Sequence, residues 1–177
     1  MTLMRRRTFL AGAAALAASA VPAFANTMSA RALAFNNIHT GEHLTVDYWV
    51  EGRYLPAALQ SINYLLRDFR TGDVHVMEPQ LMDLLAGLRS HLDTAQPFEV
   101  ISGYRSPATN ASLRAEHEHS GVASKSLHMQ GMAIDIRVPG RPLAALRDVA
   151  LAQRGGGVGY YPESDFVHVD VGRVRTW

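Results

Sequence analysis

No cysteine occurs in the 177 residues, so this chain must be held together by core packing, or by a metal bound through nitrogen and oxygen. A disulfide framework and a thiolate metal site are both excluded. The constraint matters because the first 25 residues read as an export leader, and exported proteins usually have disulfides available. Arg5, Arg6 and Arg7 form a basic start. They are followed by Thr8, Phe9, Leu10 and the stretch AGAAALAASAVPAFA, in which Ala23 and Ala25 flank Phe24 as an A-x-A cleavage site. The pattern Arg6-Arg7-x-Phe9-Leu10 resembles a twin-arginine signal, an address that directs export to the periplasm. Gly12, Pro22 and the many alanines make the same stretch a poor membrane anchor, so no stable span is expected after cleavage.

Cleavage after residue 25 removes three arginines and no acid, which moves the formal charge from +1 to −2. The basic excess belongs to the leader. The mature chain, residues 26–177, is therefore not a polybasic nucleic-acid binder, and its length suits one domain with a core of its own. Nothing in it fixes an oligomeric state.

The mature chain reads as mixed elements without repeats. Residues 31–50 form a hairpin of apolar and β-branched runs broken by Asn36, Asn37 and Gly41. Helical spacing of Leu59, Ile62, Leu65 and Leu66 predicts a helix over 57–69. The spacing of Leu81, Leu84, Leu85 and Leu88 predicts another over 78–92. Strands are expected at 98–102, 133–138, 157–161 and 166–171, a short polar helix at 110–119 and a helix at 142–153. The fold class is α+β: a small, mainly antiparallel sheet with helices packed on one face.

Eight histidines are more than packing demands. His117 and His119, in a charged helix end, read as solvated surface groups, and His39, His43, His75 and His91 have no partner at a recognisable spacing. His128 and His168 differ. Gly131 lies between His128 and Asp135 and allows a tight turn, so that imidazole and carboxylate can reach one ion. Asp135 sits between Ile134 and Ile136, where a carboxylate is costly unless paired or metal-bound. In FVHVDVG, alternation puts His168 and Asp170 on one strand face and Val167, Val169 and Val171 on the other. Asp170 is there as a partner of His168 or as an acid/base group. Two His and one Asp leave a fourth coordination position open, which is the pattern of a catalytic zinc, Zn2+.

The arrangement S-x-H-x-x-G-x-A-x-D in Ser126–Asp135, followed by a late strand carrying His168, resembles the LAS group of zinc metallopeptidases. The strings SGYRSPATN, SLHMQGMAIDIRVPG, GGGVGYY and FVHVDVGRVRTW resemble the murein endopeptidase K-like branch of bacterial cell-wall hydrolases, over about residues 28–177. The resemblance implies zinc held by His128, Asp135 and His168, peptidoglycan stem peptides as substrate, and Arg105 near the substrate carbonyl or carboxylate. It also implies a general base three residues before the last His, where Asp165 stands, with Asp170 as the other candidate. Ser126 and Gln130 are open between orienting and capping roles, and Tyr104 and Tyr160 are the aromatics chosen for a substrate groove. Gly155, Gly156 and Gly157 lack a phosphate-loop context and read as a flexible turn. The rival reading is a zinc-containing peptidoglycan-binding or scaffold module without turnover.

Overall fold

The computed structural model describes residues 29–116 and 123–177; the leader, with His117 and His119, lies outside the described residues. Strands β1 (Ala30–Asn37) and β2 (His43–Val50) form the expected hairpin, and β3 (Arg53–Tyr54) adds a short edge. They are followed by α1 (Pro56–Leu65), α2 (Pro79–His91), β4 (Phe98–Ser102), α3 (Pro107–Ala115) and β5 (Ala133–Arg137). The chain ends with α4 (Leu143–Gln153), β6 (Gly157–Tyr161), β7 (Phe166–Asp170) and β8 (Arg175–Thr176). All eight strands join one sheet in the order β3-β2-β1-β4-β5-β7-β6-β8.

The sheet is mixed. Most neighbours are antiparallel, but β1 runs parallel to β4 and β6 parallel to β8. The parallel pairs arise because the chain leaves the sheet between those strands: α1 and α2 separate β1 from β4, and β8 returns to the far side of β6. Among the described residues no helix is long and apolar enough to cross a membrane.

Strand alternation divides the sheet into two faces. Ile134 and Ile136 of β5 and Val167 and Val169 of β7 join one core with Leu81, Leu85 and Leu88 of α2 and Leu146 of α4. Each fully buried aliphatic side chain there contributes roughly 1.5–3 kcal/mol. Asp135, His168 and Asp170 occupy the opposite face by the same alternation, and all three are buried.

Proline at the first helical position starts α1, α2 and α3, where its missing N–H costs nothing. Helix α1 stops at Leu65, four residues short of the sequence expectation. Its following loop is bound instead by tertiary contacts: the Leu66 carbonyl accepts from Tyr104 N–H at 2.8 Å, and Asp68 accepts from the N–H groups of Arg70 and Ser106. These bonds tie the loop to the segment that opens α3.

Candidate metal centre

The loop from Ser126 to Gly131 delivers His128. Ser126 caps a short 3-10 turn, Leu127–Gln130, by accepting from His128 N–H at 3.3 Å. Gly131 ends the turn in the left-handed region, φ 69°, and a Cβ there would overlap the Val76 carbonyl. The chain then enters β5, which carries Asp135. Pairing of β5 with β7 sets Asp135 directly opposite His168. Ser126 is therefore a capping residue, and Gln130 is exposed.

Three ligand atoms converge. His168 Nδ1 lies 2.8 Å from Asp135 Oδ1 and 3.1 Å from His128 Nε2, and His128 Nε2 lies 3.2 Å from the same Asp135 oxygen. A four-coordinate ion with bonds of about 2.0–2.1 Å sets its ligands about 3.3 Å apart, so this triangle fits such an ion closely. The donor set fits as well, because the outward nitrogen of each imidazole already has an acceptor: His128 Nδ1 donates to Gly103 O at 2.7 Å, and His168 Nε2 faces Asp170 Oδ2 at 3.1 Å. Each ring thus aims its other nitrogen at the shared point, the usual support for a metal-binding imidazole.

The electrostatics agree. Burial alone would raise the Asp135 carboxyl, but His128 and His168 hold it well below the ordinary range. Burial would lower the His168 imidazole, yet Asp135 and Asp170 on either side push it up to about 9. Asp170 is also held low against its burial, by His168, Arg175 and the N–H groups of Gly157 and Gly172. The His168 ring thus lies between two buried carboxylates that favour positive charge on it.

The cluster opens into a cleft of about 330 Å³ whose lining includes Arg105, Lys125, Tyr161, Phe166, Arg175 and Trp177. Arg105 Nη2 sits 3.7 Å from Asp135 Oδ2 and 3.4 Å from Ser102 Oγ, and its Nε is buried without a hydrogen-bond partner. Burial pushes its guanidinium below the ordinary range, with Asp135 acting in the other direction. A larger open depression between β1 and α2 gathers no such ligand set.

Asp165 stands in the turn before β7 with φ 54°, so the chain bends there and the position escapes strand alternation. Its exposed carboxylate accepts from Arg137 at 2.9 Å and does not line the cleft. Asp170 has no exposure, and both of its oxygens are engaged on the side of His168 away from Asp135. The aromatic expectation needs correction. Tyr160 packs against the core and under Arg147, and Tyr104 stacks on His75; neither lines the cleft. Tyr161, Phe166 and Trp177 line it instead, because Tyr161 pairs with Phe166, two positions from His168 on the same strand face. That hairpin register was the available signal. Lys125 and Arg175 were also missed, and nothing local in the sequence marks them.

A mixed sheet that presents His128, Asp135 and His168 at one point beside a cationic cleft is the architecture of an LAS-type metal-dependent peptidase. The chain belongs to the peptidoglycan L,D-endopeptidase MepK family, whose model matches residues 25–177. It is 42% identical to the peptidoglycan L,D-endopeptidase MepK of Escherichia coli (strain K12), over 98% of this chain and 96% of that protein. It is also 42% identical to the probable peptidoglycan L,D-endopeptidase MepK of Haemophilus influenzae, over 98% of this chain and 95% of that one.

Proposed function

We propose that this protein is a zinc-dependent peptidoglycan peptidase that hydrolyses an L,D amide bond in stem peptides or their cross-links, after export to the periplasm by the twin-arginine route. The observation that carries the reading is the triangle of His128 Nε2, Asp135 Oδ1 and His168 Nδ1 at the floor of the cleft. The names of the relatives support the bond class, and the Arg6-Arg7-x-Phe9-Leu10 pattern supports the route.

Those three residues would hold the zinc, which when bound polarises a carbonyl and brings the pKa of water toward about 7. The remaining work falls to the chain. Arg105, with a free Nε and a guanidinium facing the cleft, binds the substrate carbonyl or a neighbouring carboxylate and stabilises negative charge that develops on the carbonyl oxygen. Lys125 and Arg175 add positive charge, which suits stem peptides rich in carboxylates. Tyr161, Phe166 and Trp177 form an apolar wall that orients the peptide. Asp165, three residues before His168, is the base in this reading: once its exposed ion pair with Arg137 is released, its carboxylate takes the proton from the attacking water and passes it to the departing amine as the amide bond breaks. Asp170 keeps His168 oriented.

The test is digestion of purified sacculi by the metal-stripped protein, the zinc-reloaded protein and His168→Ala, with products identified by mass. Soluble fragments ending at an L,D bond should appear only with the reloaded native protein. Full digestion by the stripped protein would sink the mechanism. Binding of sacculi by reloaded protein with no fragments released would favour a binding module over an enzyme.

A further inference from the structure

Arg175 lies on β8, outside every segment that supplies a metal ligand, yet its guanidinium grips the carboxylate behind one of them. Nη2 is 2.7 Å from Asp170 Oδ2 and Nη1 is 3.1 Å from Oδ1. Asp170 Oδ1 also accepts from Gly157 N–H at 2.9 Å and Gly172 N–H at 2.8 Å, while Oδ2 faces His168 Nε2. The glycines make room for this packing. A Cβ on Gly156 would overlap the Asp170 carbonyl, and one on Gly157 would overlap both the Arg175 guanidinium and the Asp170 carboxylate. The run Gly155-Gly156-Gly157 is thus a place of close approach rather than a flexible turn. Beyond Asp170, the Arg175 guanidinium lies 4.8 Å from the Trp177 ring, which tilts over the His168 ring at 5.2 Å.

We propose that Arg175 is a positioning residue of the metal centre, acting through Asp170 to fix the His168 ring so that Nδ1 points where His128 Nε2 and Asp135 Oδ1 also point. This rests on the reading of His128, Asp135 and His168 as a metal site. The terminal torsion of an aspartate is soft. A planar two-point fork removes that freedom, and the oxygen facing His168 then holds the ring in one orientation. Anchoring of β8 does not require the fork, because backbone pairing of β6 with β8 and the Trp177 N–H to Val158 O bond already hold the strand.

The test compares zinc affinity, by chelator competition, and the visible spectrum of the cobalt-loaded form for the native protein, Arg175→Gln and Arg175→Lys. Arg175→Gln should weaken zinc binding about 10- to 100-fold and shift the cobalt bands, and Arg175→Lys, which keeps the charge without the fork, should recover part of the loss. A folded Arg175→Gln with native affinity and an unchanged spectrum overturns the proposal. If Arg175→Gln does not fold, Arg175→Lys decides: weaker binding with altered bands supports the proposal, and native values overturn it. A native protein that binds no stoichiometric metal overturns the metal-site reading, and this proposal with it. Normal native binding with unchanged Arg175 variants overturns the proposal alone.

Discussion

Asp170 Oδ2 lies 3.1 Å from His168 Nε2, on the side of the ring opposite the nitrogen that meets Asp135. The imidazole is therefore held between two buried carboxylates, one at the shared ligand point and one behind it. This separates the two candidate bases. The Asp170 oxygens are committed to His168, Arg175, Gly157 and Gly172, whereas the Asp165 carboxylate carries an exposed ion pair with Arg137.

Asp170→Asn and Asp165→Asn should consequently behave differently. The first should lower zinc affinity about 10- to 100-fold. The second should leave affinity within about twofold and lower kcat by roughly 10²- to 10⁴-fold, the usual contribution of a positioned base. Zinc titration beside steady-state rates on muropeptides separates the two effects, and an unchanged kcat in Asp165→Asn would remove it as the base.

Trp177 is half exposed, so its truncation should spare the fold. An aromatic contact of about 0.5–1.5 kcal/mol converts to roughly a 2- to 10-fold rise in KM. Trp177→Ala should show that rise with kcat within about twofold, as expected when uniform binding is lost. A fall in kcat at constant KM would contradict its place on the substrate wall.

Gly156→Ala should destabilise the protein by about 2 kcal/mol or more, since the added Cβ meets the Asp170 backbone rather than a flexible side chain. Gly140→Ala is the control: its φ is 72° with open space around it, so only backbone strain of about 1 kcal/mol is expected. Urea midpoints of the two variants check the order.

Asp68 predicts an acid limb in stability. Burial alone would raise its carboxyl, but the Thr109 hydroxyl and the Ser106 and Arg70 N–H groups hold it down to about 2, against an ordinary 3.8. A depressed carboxyl stabilises the fold above its unfolded value, and that contribution fades as pH falls from 3.8 through 2. The loss should be of order 1–2 kcal/mol. Native protein followed by urea unfolding between pH 5 and 2 should show it, and Asp68→Asn should show a flatter limb.

Much of this architecture was legible because its signals are local. Periodicity gave α2 almost to the residue, the expected helix at 142–153 matches α4, and alternation in FVHVDVG put His168 and Asp170 together away from the valines. Three features escaped for want of a local signal. Helix α1 ends early because Leu66 and Asp68 bond to the chain near α3, a partner 38 residues away in the case of Ser106. The parallel pairing of β1 with β4 depends on where α1 and α2 lead the chain. Arg175 gains its meaning only when β8 is laid beside β6.

The sequence by itself determined the donor chemistry of the proposed site. Without cysteine, any zinc must take nitrogen and oxygen, and S-x-H-x-x-G-x-A-x-D with a late histidine strand names His128, Asp135 and His168. Only the tertiary structure decided what stands behind and around those ligands: Gly103 behind His128, Asp170 and Arg175 behind His168, and Tyr161 rather than Tyr160 in the cleft. The physical reason is range. Ligand type and strand alternation act within a few residues, whereas the partners that orient a ring are set by sheet order and register, which form across the whole chain.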